Sequence, residues 1–348
     1  MRINRVWFSL VLILGLNLKI VNAFDLLYDL RIKTGYNSNI LELSDKDLRR
    51  FENKNEVDKF KISSSDDFVS DFALRIGFRN PDFLGHTQII RFSLNYEKYW
   101  NNEILDKINF GIRLKQYLSS KFNFELKYFY FPEIYVNRYD SVLDVGTDYR
   151  DFTYAKNSAY AEFQYRILEF LNLSYQVEYS QLLYNEFFTE YDADQYENRI
   201  RAIILPYQKL RLGLDYTYRK SNADGEKAYK GISEIEEFKD PSHQDDIYRI
   251  SISFPLKIKK EKELELAVEF SYYEIYYDSN FRNDKYHYGR KDWRKNWKIF
   301  CTIPLGKKFS TGFYYGNDWR NVSSPILEVS ENKDYKQYLF GLQLRFDN

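Results

Sequence analysis

From residue 26 to residue 346 the chain repeats one unit: a run of roughly ten residues in which apolar and polar side chains alternate. The last copy shows it most cleanly. In Tyr338-Leu339-Phe340-Gly341-Leu342-Gln343-Leu344-Arg345-Phe346, one set of alternate positions holds Tyr338, Phe340, Leu342, Leu344 and Phe346, and the other holds Gly341, Gln343 and Arg345. A period of two marks a strand whose two faces meet different surroundings. The first copy, near 26–36, sets Tyr28, Leu30, Ile32, Thr34 and Tyr36 against Asp29, Arg31 and Lys33. A middle copy, near 209–219, sets Leu210, Leu212, Leu214, Tyr216 and Tyr218 against Arg211, Asp215 and Arg219.

Counting such segments predicts about fourteen strands, an even number, each of about the length that crosses a bilayer when tilted. The connections carry as much information. Short ones are expected near 80–86, 118–121, 166–170, 206–208, 257–262 and 304–307, several with turn signals such as Asn80-Pro81, Pro206 and Pro304-Leu305-Gly306. Long ones are expected near 37–66, 132–153, 182–194, 220–246, 277–292 and 319–334; only the link near 101–103 is short where a long one belongs. Short turns on one side and long loops on the other predict an all-β, antiparallel up-and-down transmembrane barrel, with the short side periplasmic. The loop at 37–66 could fold inward as a constriction, but its Lys, Asp, Glu and Ser composition suits solvent and favours an exposed, mobile loop.

An alternating strand that ends in Phe at a chain terminus resembles the assembly signal of bacterial outer-membrane β-barrels. Here Tyr338, Phe340, Leu342, Leu344 and Phe346 would serve as that signal, with Asp347 and Asn348 added after it. The other end of the chain agrees. Arg2 and Arg5 precede an apolar run from Val6 to Leu18, and Val21-Asn22-Ala23 suits cleavage. Residues 1–23 are therefore expected to be a Sec signal peptide, and residues 24–348 a single barrel domain without an N-terminal plug. The resemblance implies integral insertion in the outer membrane of a Gram-negative bacterium. Implied partners are outer-membrane lipid and lipopolysaccharide, the barrel assembly machinery and periplasmic chaperones. Mean hydropathy is low at −0.59, yet the chain holds 33 Tyr and 28 Phe. A barrel reconciles the two, because only one face of each strand meets lipid and aromatic residues form belts at the rims.

The polar face is read as the lumen lining. On it basic residues outnumber acidic ones by roughly eighteen to twelve by the inside–outside alternation. Pore-lining candidates are Arg75, Arg79, Arg91, Arg113 and Lys115 on strands two to four, and Arg199, Arg201, Arg211, Arg219 and Arg249 on strands eight to ten; Glu263, Glu265 and Glu269 form an acidic row on strand eleven. Opposed rows would create a transverse field that selects small polar solutes; equally, neighbouring charges could pair and fill a narrow pore. The expected function is a porin-like passive channel for small polar or anionic solutes. Two alternatives stand beside it: a loop-closed surface or binding barrel, and an export barrel acting with periplasmic partners.

Little points to catalysis or to a cofactor. The single Cys301 excludes an internal disulfide and a Cys-based zinc site. A net charge of zero gives no reason to invoke nucleic acid. His86 falls in a periplasmic turn, and His243 and His287 in long loops, where solvated histidines are expected. Only His243 with Asp245 or Asp246 forms a cluster that could attempt acid–base work. Asp192, Asp194 and Glu197 lack the glycine and spacing of a calcium loop.

Overall fold

Every alternating segment is a strand, and each strand runs antiparallel to both neighbours. The computed structural model describes residues 25–55, 57–83, 85–140, 149–207, 209–225, 228, 239–259 and 262–347; the expected leader, its cleavage site at Val21-Asn22-Ala23 and Phe24 lie outside them. The strands are β1 (Asp25–Asn37), β2 (Asp67–Phe83), β3 (His86–Tyr99), β4 (Lys107–Tyr117), β5 (Phe122–Asp140), β6 (Tyr149–Leu168) and β7 (Leu171–Tyr184). They continue with β8 (Ala193–Tyr207), β9 (Leu210–Ala223), β10 (His243–Lys259), β11 (Lys262–Tyr277), β12 (Lys291–Pro304), β13 (Phe309–Ser323) and β14 (Tyr335–Asp347). All fourteen form one closed barrel in sequence order. Closure is made by β14 on β1, where Phe340 faces Tyr36, Leu342 faces Thr34 and Leu344 faces Ile32.

The register fixes which side chains face out. Leu74 lies between Leu30 and Leu94, and Phe110 lies between Leu94 and Tyr130, so the apolar positions form continuous rows around the wall. These residues are exposed although apolar: Phe92 by 50%, Ile200 by 55% and Leu344 by 54%. Such a belt is stable only against lipid, because exposed apolar area on this scale costs about 25 cal/mol per Å² in water. The alternate positions put Arg, Lys, Asp and Glu inside, as the alternation predicted.

Among the described residues, tight turns join the strands at one end, for example residues 118–121 between β4 and β5 and 305–308 between β12 and β13. At the other end the wall stands taller than expected. β5 has 19 residues and β6 has 20, about twice what a tilted crossing needs. Most of the loop expected at 132–153 is therefore strand. The alternation fails there because register shifts between Phe131 and Ile134 and between Tyr135 and Asn137 break the period of two.

The first outer loop, residues 38–66, is folded inward and packed, not exposed and mobile. Asn39 organises its start, donating from Nδ2 to the Leu43 carbonyl at 2.8 Å and accepting from the Leu43 N–H at 2.8 Å. Ser44 then caps helix α1 (Asp45–Glu52), its Oγ accepting from the Asp47 N–H at 3.1 Å. Ile40 is buried in a cluster with Tyr99, Leu105 and Tyr135, so the loop presses apolar side chains into the mouth. One flank reaches β5 and β6, where Arg138 donates to the Asp58 carbonyl and Lys61 meets Asp151 at 2.8 Å. The other reaches β12, where Glu42 accepts from Arg294 at 3.0 Å, and helix α2 (Leu327–Lys333), where Lys46 lies 3.7 Å from Glu328 and Glu331. β5 and β12 are seven strands apart in a ring of fourteen, so the loop spans the full diameter.

Candidate functional site

Below this cap the lumen holds a cavity of about 680 Å³ against the inner faces of β1 to β7. Its charged lining is unequal. Arg31, Arg75, Arg91, Lys107, Arg113, Lys127 and Lys156 supply seven cations, against the three carboxylates of Asp71, Glu97 and Glu178. Alternate positions of neighbouring strands bring them together: Arg91 faces Gly77 on β2 and Arg113 on β4, and Arg113 faces Lys127 on β5. Gly77 is required there, since a Cβ at that position would meet Arg91 Cγ at 2.5 Å.

The register puts the pore-lining candidates on the face opposite the apolar belt, in different company; Arg75, Arg91, Arg113 and Arg219 line cavities. Arg75 and Arg79 lie 3.9 and 3.8 Å from Asp29 and Asp25 on β1. Arg113 and Lys127 share the wholly buried Glu125. Arg199 and Arg201 converge on Asp215, with Nε contacts of 2.7 and 2.8 Å. Arg219 donates from Nε to Asp245 at 2.6 Å. Lys115 meets Gln164 at 3.4 Å and the Tyr117 ring, and Arg249 meets Thr217 at 3.4 Å and the Tyr273 ring; neither has a carboxylate within 4.0 Å among the described residues. Arg211 faces Ser253 across the β9–β10 pair. Among the described residues Arg91 and Arg211 have no carboxylate within 4.0 Å. On the acidic strand, Glu263 is held by Lys209 at 2.6 Å near the tight turns, while Glu265 and Glu269 have no cation within 4.0 Å among the described residues. β11 stands seven strands from β4, so the unpaired carboxylates lie opposite the basic wall. Tyr338, Phe340, Leu342, Leu344 and Phe346 all lie on the lipid side of β14, in the seam with β1.

Two of the histidines differ from expectation. His86 is exposed at a tight turn. His243 lies at the start of β10 with its Nδ1 2.8 Å from the Pro241 carbonyl; its Nε2 is 3.8 Å from Asp245, whose other oxygen is held by Arg219. Asp246 faces outward and accepts from the Tyr216 hydroxyl at 2.6 Å. His287 is not a solvated loop residue. It is 5% exposed, its Nδ1 is 2.9 Å from Asp284, and its ring packs beside Tyr191 and Tyr277. Burial holds the imidazole below its ordinary value, so the neutral ring donates to the carboxylate. Asp194 points outward to the Tyr179 hydroxyl while Glu197 faces the lumen, so the acidic stretch does not converge. Among the described residues no three His, Cys, Asp or Glu side chains are placed to hold a metal ion.

Lys156 and the helix of the cap were not singled out in the sequence. Lys156 had a signal, since it shares the inward parity of Ser158 and Glu162. The cap had a local one, Ser44 followed three residues later by Asp47, which is the start signature of a helix.

An even-stranded closed barrel with an apolar outer belt and a charged, water-holding lumen is an integral outer-membrane β-barrel. No protein-family model matches the chain, and neither does any curated protein sequence. Solved structures of similar architecture include the outer membrane channel DcaP of Acinetobacter baumannii, at 12% identity and TM-score 0.48, over 93% of this chain and 97% of that one. An anion-selective porin from Comamonas acidovorans is similar at 10% identity and TM-score 0.46, over 94% and 99%. A bacterial polysaccharide outer membrane secretin is similar at 11% identity and TM-score 0.46, over 92% and 98%. The class assignment rests on this chain's own strand order and faces.

Proposed function

We propose that this barrel is a porin-like channel for small anionic solutes, its outer mouth held narrow by the first loop. The carrying observation is the lining of the 680 Å³ cavity, seven cations to three carboxylates, facing unpaired Glu265 and Glu269 across the lumen. A row of cations raises the local concentration of anions, and a transverse field orients polar solutes as they pass. A barrel of this strand number leaves an aqueous interior wider than the side-chain-filled eight-stranded kind. The cap favours a second reading, a barrel closed by its loops that binds a solute rather than passing it.

The test is single-channel conductance of the refolded barrel in a planar bilayer, with a salt-gradient reversal potential. The expected result is a small, anion-preferring conductance that rises severalfold when residues 40–64 are replaced by a short Gly/Ser linker. A folded barrel that stays electrically silent in both forms would overturn the channel and favour the closed, binding form.

A further inference from the structure

A second cavity, about 250 Å³, lies toward the outer end against β6 to β10. Its two walls differ in chemistry. On the β6–β7 side stand Tyr154 and Tyr184, with Tyr191 from the following turn; their ring centroids are 5.0 Å apart for Tyr154–Tyr184 and 5.6 Å for Tyr184–Tyr191. On the β8–β10 side stand Gln195, Arg219, Ser221 and His243. Lys156 lines this cavity and also the larger basic one below it.

Lys156 is the least committed cation at the junction. Arg219 is taken up by Asp245, and Lys127 by Glu125. The only carboxylate within 4.0 Å of the Lys156 ammonium among the described residues is Glu178, at 4.0 Å, beyond hydrogen-bond reach. Its side chain is three-quarters buried, so the charge is poorly hydrated and an arriving anion would replace missing water.

We infer that the two cavities are successive compartments of one solute path, that Lys156 is the anion-binding point joining them, and that the upper compartment takes one organic anion with a flat apolar body. This rests on the anion-channel reading and names its solute class. The acid group would sit on the Lys156 ammonium, and the apolar body would lie against the three tyrosine rings, where aromatic contact adds to area burial. At about 30 Å³ per water, 250 Å³ is the room of about eight waters. That admits one ring with its acid group.

Benzenesulfonate and methanesulfonate make a suitable pair of probes, since both stay anionic at any working pH and differ by the ring. Titration calorimetry on the refolded full barrel should show saturable one-to-one binding of benzenesulfonate, with methanesulfonate at least tenfold weaker. Lys156→Gln should weaken benzenesulfonate at least tenfold, Lys156→Arg should retain it, and Lys121→Gln, in the exposed turn between β4 and β5, should leave it unchanged. Tyr184→Leu should narrow the difference between the two probes. Each variant is first checked for heat-modifiable mobility, so that lost binding is read only on folded barrels. In bilayers, benzenesulfonate should reduce the chloride current of the parent and not of Lys156→Gln. Equal binding of the two probes, no saturable binding, or binding indifferent to Lys156→Gln would overturn the inference. A silent barrel that still binds through Lys156 would sink the channel and keep the site; a conducting barrel without such binding would do the reverse.

Discussion

The inner lumen and the outer mouth use the same residue types to opposite ends. In the inner lumen Arg91 and Lys115 on β3 and β4, and Glu265 and Glu269 on β11 with Arg249 on the neighbouring β10, have no opposite charge within 4.0 Å among the described residues, and both carboxylate-bearing side chains are exposed. In the mouth the tightest pairs are matched and have buried carboxylates. Arg290 meets Asp292 at 2.5 Å with the two side chains 5% and 1% exposed, and Arg294 meets Asp318 at 2.6 Å. Aromatic packing surrounds them: Phe152 touches Tyr139, Tyr184, Phe188 and Tyr191 with centroids 4.8 to 5.2 Å apart. Lys333 of α2 sits 5.0 Å over the Tyr139 ring of β5, across the barrel. Unpaired charge in water costs little and remains available to a solute, whereas buried charge must be paired and then serves to fix one arrangement. The inner lumen therefore reads as working surface, and the mouth as structure.

One deletion and two pairs of substitutions probe that contrast, from the most severe. Deleting Tyr338–Asn348 removes the strand that closes the wall and exposes two long strand edges. No heat-modifiable barrel should form, and normal assembly of the truncated chain would show that the seam is dispensable. Next, Arg290→Ala strands Asp292 in a dry site, a loss of about 3–5 kcal/mol for a broken buried pair. It should be read as faster proteolysis of the outer loops. Arg91→Ala should leave loop proteolysis unchanged and lower anion preference in the reversal potential. If the two variants exchanged phenotypes, the division of labour would be wrong. Third, Leu212→Arg on the lipid face should impair insertion by about 2–4 kcal/mol if the residue lies near the midplane. The adjacent Arg211→Gln, on the lumen face, should insert normally.

The contrast also explains how far the sequence could be read. Within the membrane the solvent does the sorting: lipid on one side and water on the other force the alternation, and so Leu212 and Arg211, or Phe92 and Arg91, declare their faces without any knowledge of neighbours. Above the membrane both faces meet protein or water, and the bulges near Phe131 and Tyr135 shift the parity, so the upper parts of β5 and β6 looked like loop. The first loop was misjudged for a related reason. Its composition is polar, and its few apolar residues, Ile40, Leu43 and Phe60, are buried at irregular spacing; the partners of Ile40, such as Tyr99 and Tyr135, lie far along the chain. His287 looked like a surface residue because the tyrosines that cover it come from β11 and from the turn after β7.

That buried histidine supplies the smallest and most particular test. His287 sits among Asp284, Arg290, Lys333, Tyr191 and Tyr277. Burial lowers its affinity for a proton, and the nearby Arg290 and Lys333 add to the effect, while Asp284 opposes it. Burial alone would raise the Asp284 carboxyl; hydrogen bonding to His287, to the Asp240 N–H and to the Ser279 hydroxyl outweighs it and holds the group below its ordinary value. Both groups bind protons more readily unfolded than folded, so both contribute stability that is full at high pH and is lost on acidification. The histidine acts first, as pH falls below its unfolded value of about 6.5. Asp334 and Asp192, both raised by burial, have the opposite sign; Asp192, pushed up to about 6, titrates in the same window but on the turn after β7, outside the 278–290 loop. The 278–290 loop should therefore be cut faster by protease at pH 5.5 than at pH 7.5, with the barrel wall intact at both. His287→Asn keeps a donor for Asp284 and cannot titrate, so it should flatten that difference. An unchanged pH profile in His287→Asn would assign the loosening to another group and leave His287 as packing alone.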